Sequence, residues 1–313
     1  MTQFFATFAL MRNDMLNKYI WIVDTITKHG KITRKELNDL WERSAHYDGH
    51  SIPHRTFFNY RRDIERIFNI DILCDNLNRY YIATPDSPTD EAFRSWMLDS
   101  FAMRGAMNEV ADLSKRIEVE KIPSARYFLT PILRAIRENK CIMFSYAGFT
   151  RSLPDVDILY APYFLKLFRQ RWYMIGLRLS SDDLRTYALD RITSLHITDK
   201  SFKLPEGLEP ADIFDDLFGI TSSKGPVQHV VISAQPLTAK YLRALPLHHS
   251  QREELFSDRS LFHLDLKITP DFIRELLSLG SDITVDSPKE LRIMISEQLR
   301  ASLRNYDSNE ANK

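Results

Sequence analysis

The chain predicts an α+β fold of several domains, and three observations predict it. Residues 15–83 read as three helices followed by a two-stranded hairpin. Residues 141–198 switch to the period of short strands. Residues 227–306 read as β-α-β-β-α-β plus one helix, the ferredoxin-like pattern. A length of 313 residues suits roughly two or three domains with real cores.

The first region has clear punctuation. Met15–Lys28 places Leu16, Tyr19, Ile20, Val23 and Ile26 on one side of a helix, and Gly30 stops it. Thr33 is an N-cap for the second helix, with Glu36 three residues later as in a capping box. That helix turns Leu37, Leu40 and Trp41 inward. A loop, His46–His50, precedes a third helix that opens at Ser51 or Pro53 and runs to about Asn69. Ile70–Ala83 gives two short strands around Asp75-Asn76-Leu77-Asn78. This is the winged helix-turn-helix order.

The third helix carries two faces. Phe57, Tyr60 or Arg61, Ile64, and Ile67 with Phe68 make the expected buried stripe. Arg55, Asn59, Arg62 and Arg66 fall on another face, with His54 and Thr56 in the exposed first turn. A recognition helix needs this arrangement, because Arg bonds guanine and Asn bonds adenine in the major groove. Arg62 and Arg66 are placed to neutralise phosphates, and Arg79 lies beside the wing tip. Asp63 and Glu65 flank the basic face, so non-specific affinity for DNA should be modest.

Thr84-Pro85-Asp86-Ser87-Pro88-Thr89 marks a linker. Pro88 at the first position, then Asp90 and Glu91, opens a helix with Phe93, Trp96, Met97 and Phe101 as its stripe. Met107–Ile117 continues as helix. Tyr127–Asn139 is amphipathic through Leu129, Ile132, Leu133 and Ile136. Strands follow at Ile142–Tyr146, Val156–Phe168, Arg171–Leu179, Leu184–Leu189 and Ser194–Thr198, a pattern that suggests a small barrel. In the last region Val227–Ala234, Gln251–Phe256, Leu261–Ile268 and Ile283–Asp286 read as strands. Pro236–Leu245, Asp271–Leu279 and Pro288–Tyr306 read as helices.

Composition narrows the function classes. The 42 basic and 42 acidic residues cancel, so contact with nucleic acid must rest on local patches. Two cysteines, Cys74 and Cys141, argue against a disulfide framework and fit a reducing cytoplasm. No apolar run nears the roughly 20 residues needed to span a bilayer. Met1–Met11 is apolar but lacks a basic start and a cleavage site; it reads as a short arm packing on its own chain or a partner.

Catalytic constellations are absent. His46, His50 and His54 recur every fourth residue, but Gly49 and Pro53 break any shared helix face, so no metal set is expected. His248-His249 is equally unspecific. Asp182-Asp183 and Asp215-Asp216 lack a base or acid partner at a meaningful spacing. Ser222-Ser223-Lys224 and Ser114-Lys115 have no further motif, and no glycine-rich phosphate loop occurs. The expectation is a protein without catalytic residues or cofactor.

The middle region is the most informative. Arg171-Trp172-Tyr173-Met174-Ile175-Gly176 followed by Tyr187-Ala188-Leu189-Asp190-Arg191-Ile192 resembles the core of the WYL domain, with Met174 in place of the usual Leu. Pro288-Lys289-Glu290-Leu291 resembles the opening of the last helix in the C-terminal extension of WYL regulators. The resemblance implies a bacterial transcription regulator. It divides the chain into a winged helix-turn-helix (1–85), a helical linker with the dimer contact (86–125), an Sm-like barrel that is the WYL sensor (126–205) and a ferredoxin-like extension (225–308). Partners so implied are an operator duplex, a second copy of the chain, and a nucleotide-like or single-stranded nucleic-acid effector.

Effector residues follow from charge and from that resemblance. Lys166, Arg169, Arg171 and Arg178 form a cationic run interleaved with Tyr163, Phe164, Phe168, Trp172, Tyr173 and Tyr187. Arg185 and Arg191 follow. Cations beside aromatic platforms suit phosphates and stacked bases, and consecutive pairing of the strands would line them along one groove. Alternation puts Arg185 and Tyr187 on one face, within reach of one ligand. Carried over by position, Tyr146, Lys166, Arg185 and Arg191 are the strongest choices. The chain departs from the family where Ile158 and Ala188 replace basic residues. The alternative is an accessory protein in which the barrel binds single strands and the helix-turn-helix is a protein contact.

Overall fold

The computed structural model describes residues 2–44, 47–83, 94–100, 103, 116–118, 120, 126–149 and 152–310; for 2–14, 126 and 307–310 it describes the backbone alone. Two compact units divide the chain, Met1–Glu120 and Lys121–Lys313.

In the first unit, α1 (Thr2–His29), β1 (Ile32–Thr33), α2 (Arg34–Trp41) and α3 (His54–Phe68) precede a hairpin of β2 (Ile72–Cys74) and β3 (Arg79–Ile82). The arm expected over Met1–Met11 is instead the first turns of α1, because nothing before Gly30 breaks the helix. The capping box is present. Thr33 Oγ1 accepts from the Glu36 N–H, and Glu36 Oε2 accepts from the Thr33 N–H at 2.8 Å. The sheet order is β1-β3-β2, antiparallel throughout. Trp41, Phe57, Ile64 and Phe68 fill the core with Ile22, Ile26 and Leu37. The expected linker, residues 84–89, and nearly all of Met107–Ile117 lie outside the described residues.

The second unit begins with α4 (Arg126–Arg137). Five strands follow: β4 (Lys140–Tyr146), β5 (Asp155–Phe168), β6 (Arg171–Arg178), β7 (Asp183–Ala188) and, after a 3-10 turn at Leu189–Arg191, β8 (Ile192–Ser201). Their order, β7-β6-β5-β4-β8, is that of an Sm-like sheet. The sheet curls, since Tyr187 of β7 meets Phe144 of β4 with ring centroids 5.0 Å apart, although two strands separate them in the sheet. Gly176 makes one close crossing possible: a Cβ there would lie 2.0 Å from the Ala161 carbonyl oxygen.

After a short helix α5 (Pro210–Phe214) come β9 (Gln228–Ala234), α6 (Pro236–Ala244), β10 (Arg252–Leu255), β11 (Ser260–Leu266), α7 (Pro270–Ser278), β12 (Ile283–Ser287) and α8 (Lys289–Glu310). The antiparallel order β10-β11-β9-β12 is the ferredoxin-like arrangement predicted from sequence. Alternating Val230, Ile232 and Ala234 on β9 with Phe262, Leu264 and Leu266 on β11 bury one face under Phe272 and Leu276 of α7. No helix among the described residues is long and apolar enough to cross a membrane.

Candidate functional site

The first candidate surface is α3. Asn38 of α2 brackets the backbone that leads into it, its amide donating to the Ile52 carbonyl at 3.2 Å and accepting from the Ile52 N–H at 2.9 Å. Trp41 Nε1 donates to the His50 carbonyl at 3.1 Å. These bonds fix where the helix starts. His54, Arg55, Asn59, Arg62 and Arg66 are then exposed and Thr56 is half-buried. Arg55, Asn59 and Arg62 make no hydrogen bond or ion pair with any described residue.

The flanking acids are bonded into the fold, and of the basic face only Arg66 is reached by one of them. Asp63 accepts from the Tyr19 hydroxyl at 3.1 Å, and burial with that carboxylate pushes the Tyr19 pKa up to about 12. Glu65 accepts from Arg61 at 2.9 Å and from the Ile72 N–H at 3.1 Å. Both carboxylates are taken up by the fold. Two corrections follow. Arg66 lies 3.4 Å from Asp63 and is not a free cation. Ile67, read as part of the buried stripe, is exposed, because Phe68 takes the core position. Sequence reading also missed Phe58, which is exposed on α3 with its ring 4.7 Å from that of His54.

Arg79 is tied down at the tip of the wing, where it closes the 75–78 turn. It lies 2.8 Å from Asp75 Oδ2, while Asp75 Oδ1 accepts from the Leu77 and Arg79 N–H groups. These donors hold the Asp75 carboxyl down at about 2. Arg79 therefore shapes the turn, with part of its guanidinium still exposed.

The second candidate surface lies where β6 meets the 3-10 turn. Arg171 donates to Asp190 at 2.5 Å, and the Arg191 guanidinium lies 3.6 Å from the centre of the Phe149 ring. Tyr173 stands within electrostatic reach of Arg171, Asp190 and Arg191, and burial raises its pKa. Tyr146, which the charge of Arg171 also reaches, receives the Ala188 N–H at 3.4 Å. Three atoms of this cluster are shut off from solvent with no hydrogen-bond partner among the described residues: Arg171 Nε, Asp190 Oδ1 and Arg191 Nε. Buried polar atoms are normally paired, so these three mark the cluster as incompletely satisfied within the fold.

The other predicted effector residues are scattered. Tyr187 is buried in the barrel core, and half-buried Trp172 packs against that core. Tyr163 is buried with Cys141 and Ala161 and packs on Phe202. Tyr163 and Tyr187 are spent on packing and offer no platform, whereas Trp172 keeps part of its ring accessible. Arg185 shares a face of β7 with Tyr187, as the alternation predicts, and its charge reaches that ring; but Tyr187 is buried, and the exposed Arg185 guanidinium lies 2.6 Å from Asp183. Lys166 and Arg169 leave the barrel groove altogether. Lys166 Nζ donates to the Gly219 carbonyl at 2.8 Å, and Arg169 at the hairpin tip pairs with Glu275 of α7. The single cationic groove expected from the sequence is thus not formed. Asp190 and Phe149 are the additions. The Asp-Arg pair in the sequence hinted at Asp190, whereas nothing local marks Phe149.

The WYL domain family matches residues 127–197 and the WCX domain family matches residues 226–303. Among solved structures, proteasome accessory factor B/C (PafBC) of Arthrobacter aurescens is similar at 21% identity, with 93% of this chain and 46% of that chain covered and a TM-score of 0.32. The chain thus spans under half of that protein's length. A CRISPR Cas-related protein is similar at 12% identity, covering 96% of this chain and 86% of its own, with a TM-score of 0.40. No curated protein matches. The two domain matches fall on the curled sheet and on the ferredoxin-like region, so the chain carries a WYL domain followed by a WCX domain.

Proposed function

We propose that the chain is a DNA-binding transcriptional regulator whose activity a nucleotide-like or single-stranded nucleic-acid effector controls through the WYL domain. The observation that carries the first half is the free face of α3, where Arg55, Asn59 and Arg62 project without intramolecular partners while the nearby acids are engaged inward. Major-groove reading by a helix requires unpaired Arg and Asn side chains on that face. The Arg171–Asp190–Arg191 cluster supports the second half. Guanidinium N–H groups take phosphate oxygens, and a carboxylate oxygen takes a base amine or a sugar hydroxyl.

On this reading the protein acts by binding, without catalysis, in the cytoplasm of a bacterium. A homodimer would place two copies of α3 on two half-sites of one operator. The test uses labelled duplex from the chain's own upstream region, a scrambled duplex and a single strand, each at two salt concentrations. The expected result is tight, salt-sensitive binding that prefers the upstream duplex. The double variant Arg55→Ala with Asn59→Ala should lose that preference by at least about tenfold with folding intact. Unchanged duplex binding in the variant, or preference for the single strand, would move the nucleic-acid site to the barrel.

A further inference from the structure

The cations that leave the barrel groove lie at a different place. A cavity of about 740 Å³ opens between the β5–β6 hairpin and the helices α6 and α7 of the WCX domain. Phe168, Phe218, Leu242 and Leu279 supply apolar lining, and Lys166 and Arg169 stand on the hairpin side. Binding sites for small molecules are commonly of this size and mostly apolar, with a few placed polar groups.

The charge in the cavity does not balance. Glu275 is paired with Arg169, which leaves Lys166 as the cation of the lining with no carboxylate in ion-pair contact among the described residues; Asp271, behind the wall, reaches it only through space and is itself taken up by the Ile220 and Thr221 N–H groups and by Arg274. Its ammonium makes one hydrogen bond among the described residues, to Gly219, and sits 3.9 Å over the Phe214 ring. An ammonium has three N–H groups. His248, also in the lining, is buried and held toward the neutral form by that burial, with both ring nitrogens engaged by Ser250 and the Asp215 carbonyl. One spare positive charge in an apolar wall suits one negative charge on an apolar body; a polyphosphate would need more cations.

We infer that this cavity is a second ligand site, distinct from the Arg171–Arg191 cluster, for a small carboxylate with an apolar body such as a medium-chain fatty acid. Its carboxylate takes the free N–H groups of Lys166, and its chain lies on Phe168, Phe218 and Leu242. The site is also placed to act on domain coupling. Lys166 holds Gly219, and the next two N–H groups, of Ile220 and Thr221, are held by Asp271 at 3.0 and 2.8 Å. This stretch joins the barrel to the WCX domain. It is cut to fit, since a Cβ on Gly219 would lie 2.6 Å from the Asp271 side chain. A carboxylate that draws Lys166 away loosens one of the connector's anchors.

Calorimetric titration of the full chain with decanoate, decanol and decyltrimethylammonium tests the inference. Decanoate should bind at one site per chain, at least about tenfold tighter than the other two, in line with a charge-assisted hydrogen bond. Lys166→Met, which keeps the aliphatic stem, should remove that preference, and Lys166→Arg should retain it. Ala244→Trp, at an exposed position of the lining, should fill the cavity and abolish binding; it decides the matter should Lys166→Met fail to fold. Absence of saturable decanoate binding, equal affinity for the three head groups, or undiminished binding by the tryptophan variant would each overturn the assignment.

Discussion

At the scale of single residues, function follows from which charges are already partnered. Arg79, Arg169 and Arg185 each have a carboxylate within the fold, whereas Arg55 and Arg62 have none among the described residues. Residue type was legible in the sequence but partnership was not. Glu275 lies 106 positions from Arg169, so no local spacing marks that pair. Lys166 gives a prediction with a definite sign. Burial lowers its pKa from 10.5 to about 8. Between those values the unfolded chain holds a proton that the folded chain has lost, so stability rises with pH through the window. Below it both states are charged and the burial cost is fully present. Denaturant unfolding of the full chain from pH 7.5 to 10.5 should show the rise, on the order of 1–2 kcal/mol after allowance for partial exposure. Lys166→Met should flatten it. A slope identical in the variant would mean that the amine is solvated.

At the scale of elements, the helix-turn-helix is held by side chain to backbone bonds that a pattern of apolar residues does not reveal. Asn38 makes no side-chain contact with the exposed Arg55–Asn59–Arg62 face, yet it fixes the residue that leads into α3. Asn38→Ala should cost about 1–3 kcal/mol of stability, because it strands the Ile52 N–H and carbonyl. If α3 reads duplex as proposed, the variant should also weaken duplex binding although Arg55, Asn59 and Arg62 all remain. Chemical denaturation and duplex titration on the same sample check both effects, and normal duplex affinity in a destabilised variant would show that α3 is oriented by its core alone. Strong local signals were legible here: the Thr33–Glu36 capping box, the helical stripe of α3 and the β-α-β-β-α-β order. Ile67 was misread because it sits one residue, about 100°, from Phe68 on a helix whose buried stripe is narrow. The start of α1 was misread because apolar residues without charge periodicity do not distinguish an arm from a helix.

At the scale of the molecule, three modules carry three kinds of chemistry: a polar helix face free of partners, a guanidinium–carboxylate cluster with unpaired buried atoms, and an apolar cavity with one spare cation. The domain order was legible because each module has its own period of apolar residues. The placement of Lys166 and Arg169 was not, because it depends on partners 53 and 106 positions later, Gly219 and Glu275. The central claim is that occupancy of the Arg171–Asp190–Arg191 cluster changes how the winged helix reads duplex DNA.

The most direct test measures duplex affinity with and without a short single-stranded DNA or a mixture of nucleotides. The same titration is then run on a variant carrying Arg171→Met and Arg191→Met. A shift in duplex Kd of at least about fivefold is expected in the natural chain. The variant should keep its duplex affinity and lose the shift. Duplex affinity that neither ligand moves, or an equal shift in the variant through simple competition at α3, would contradict it.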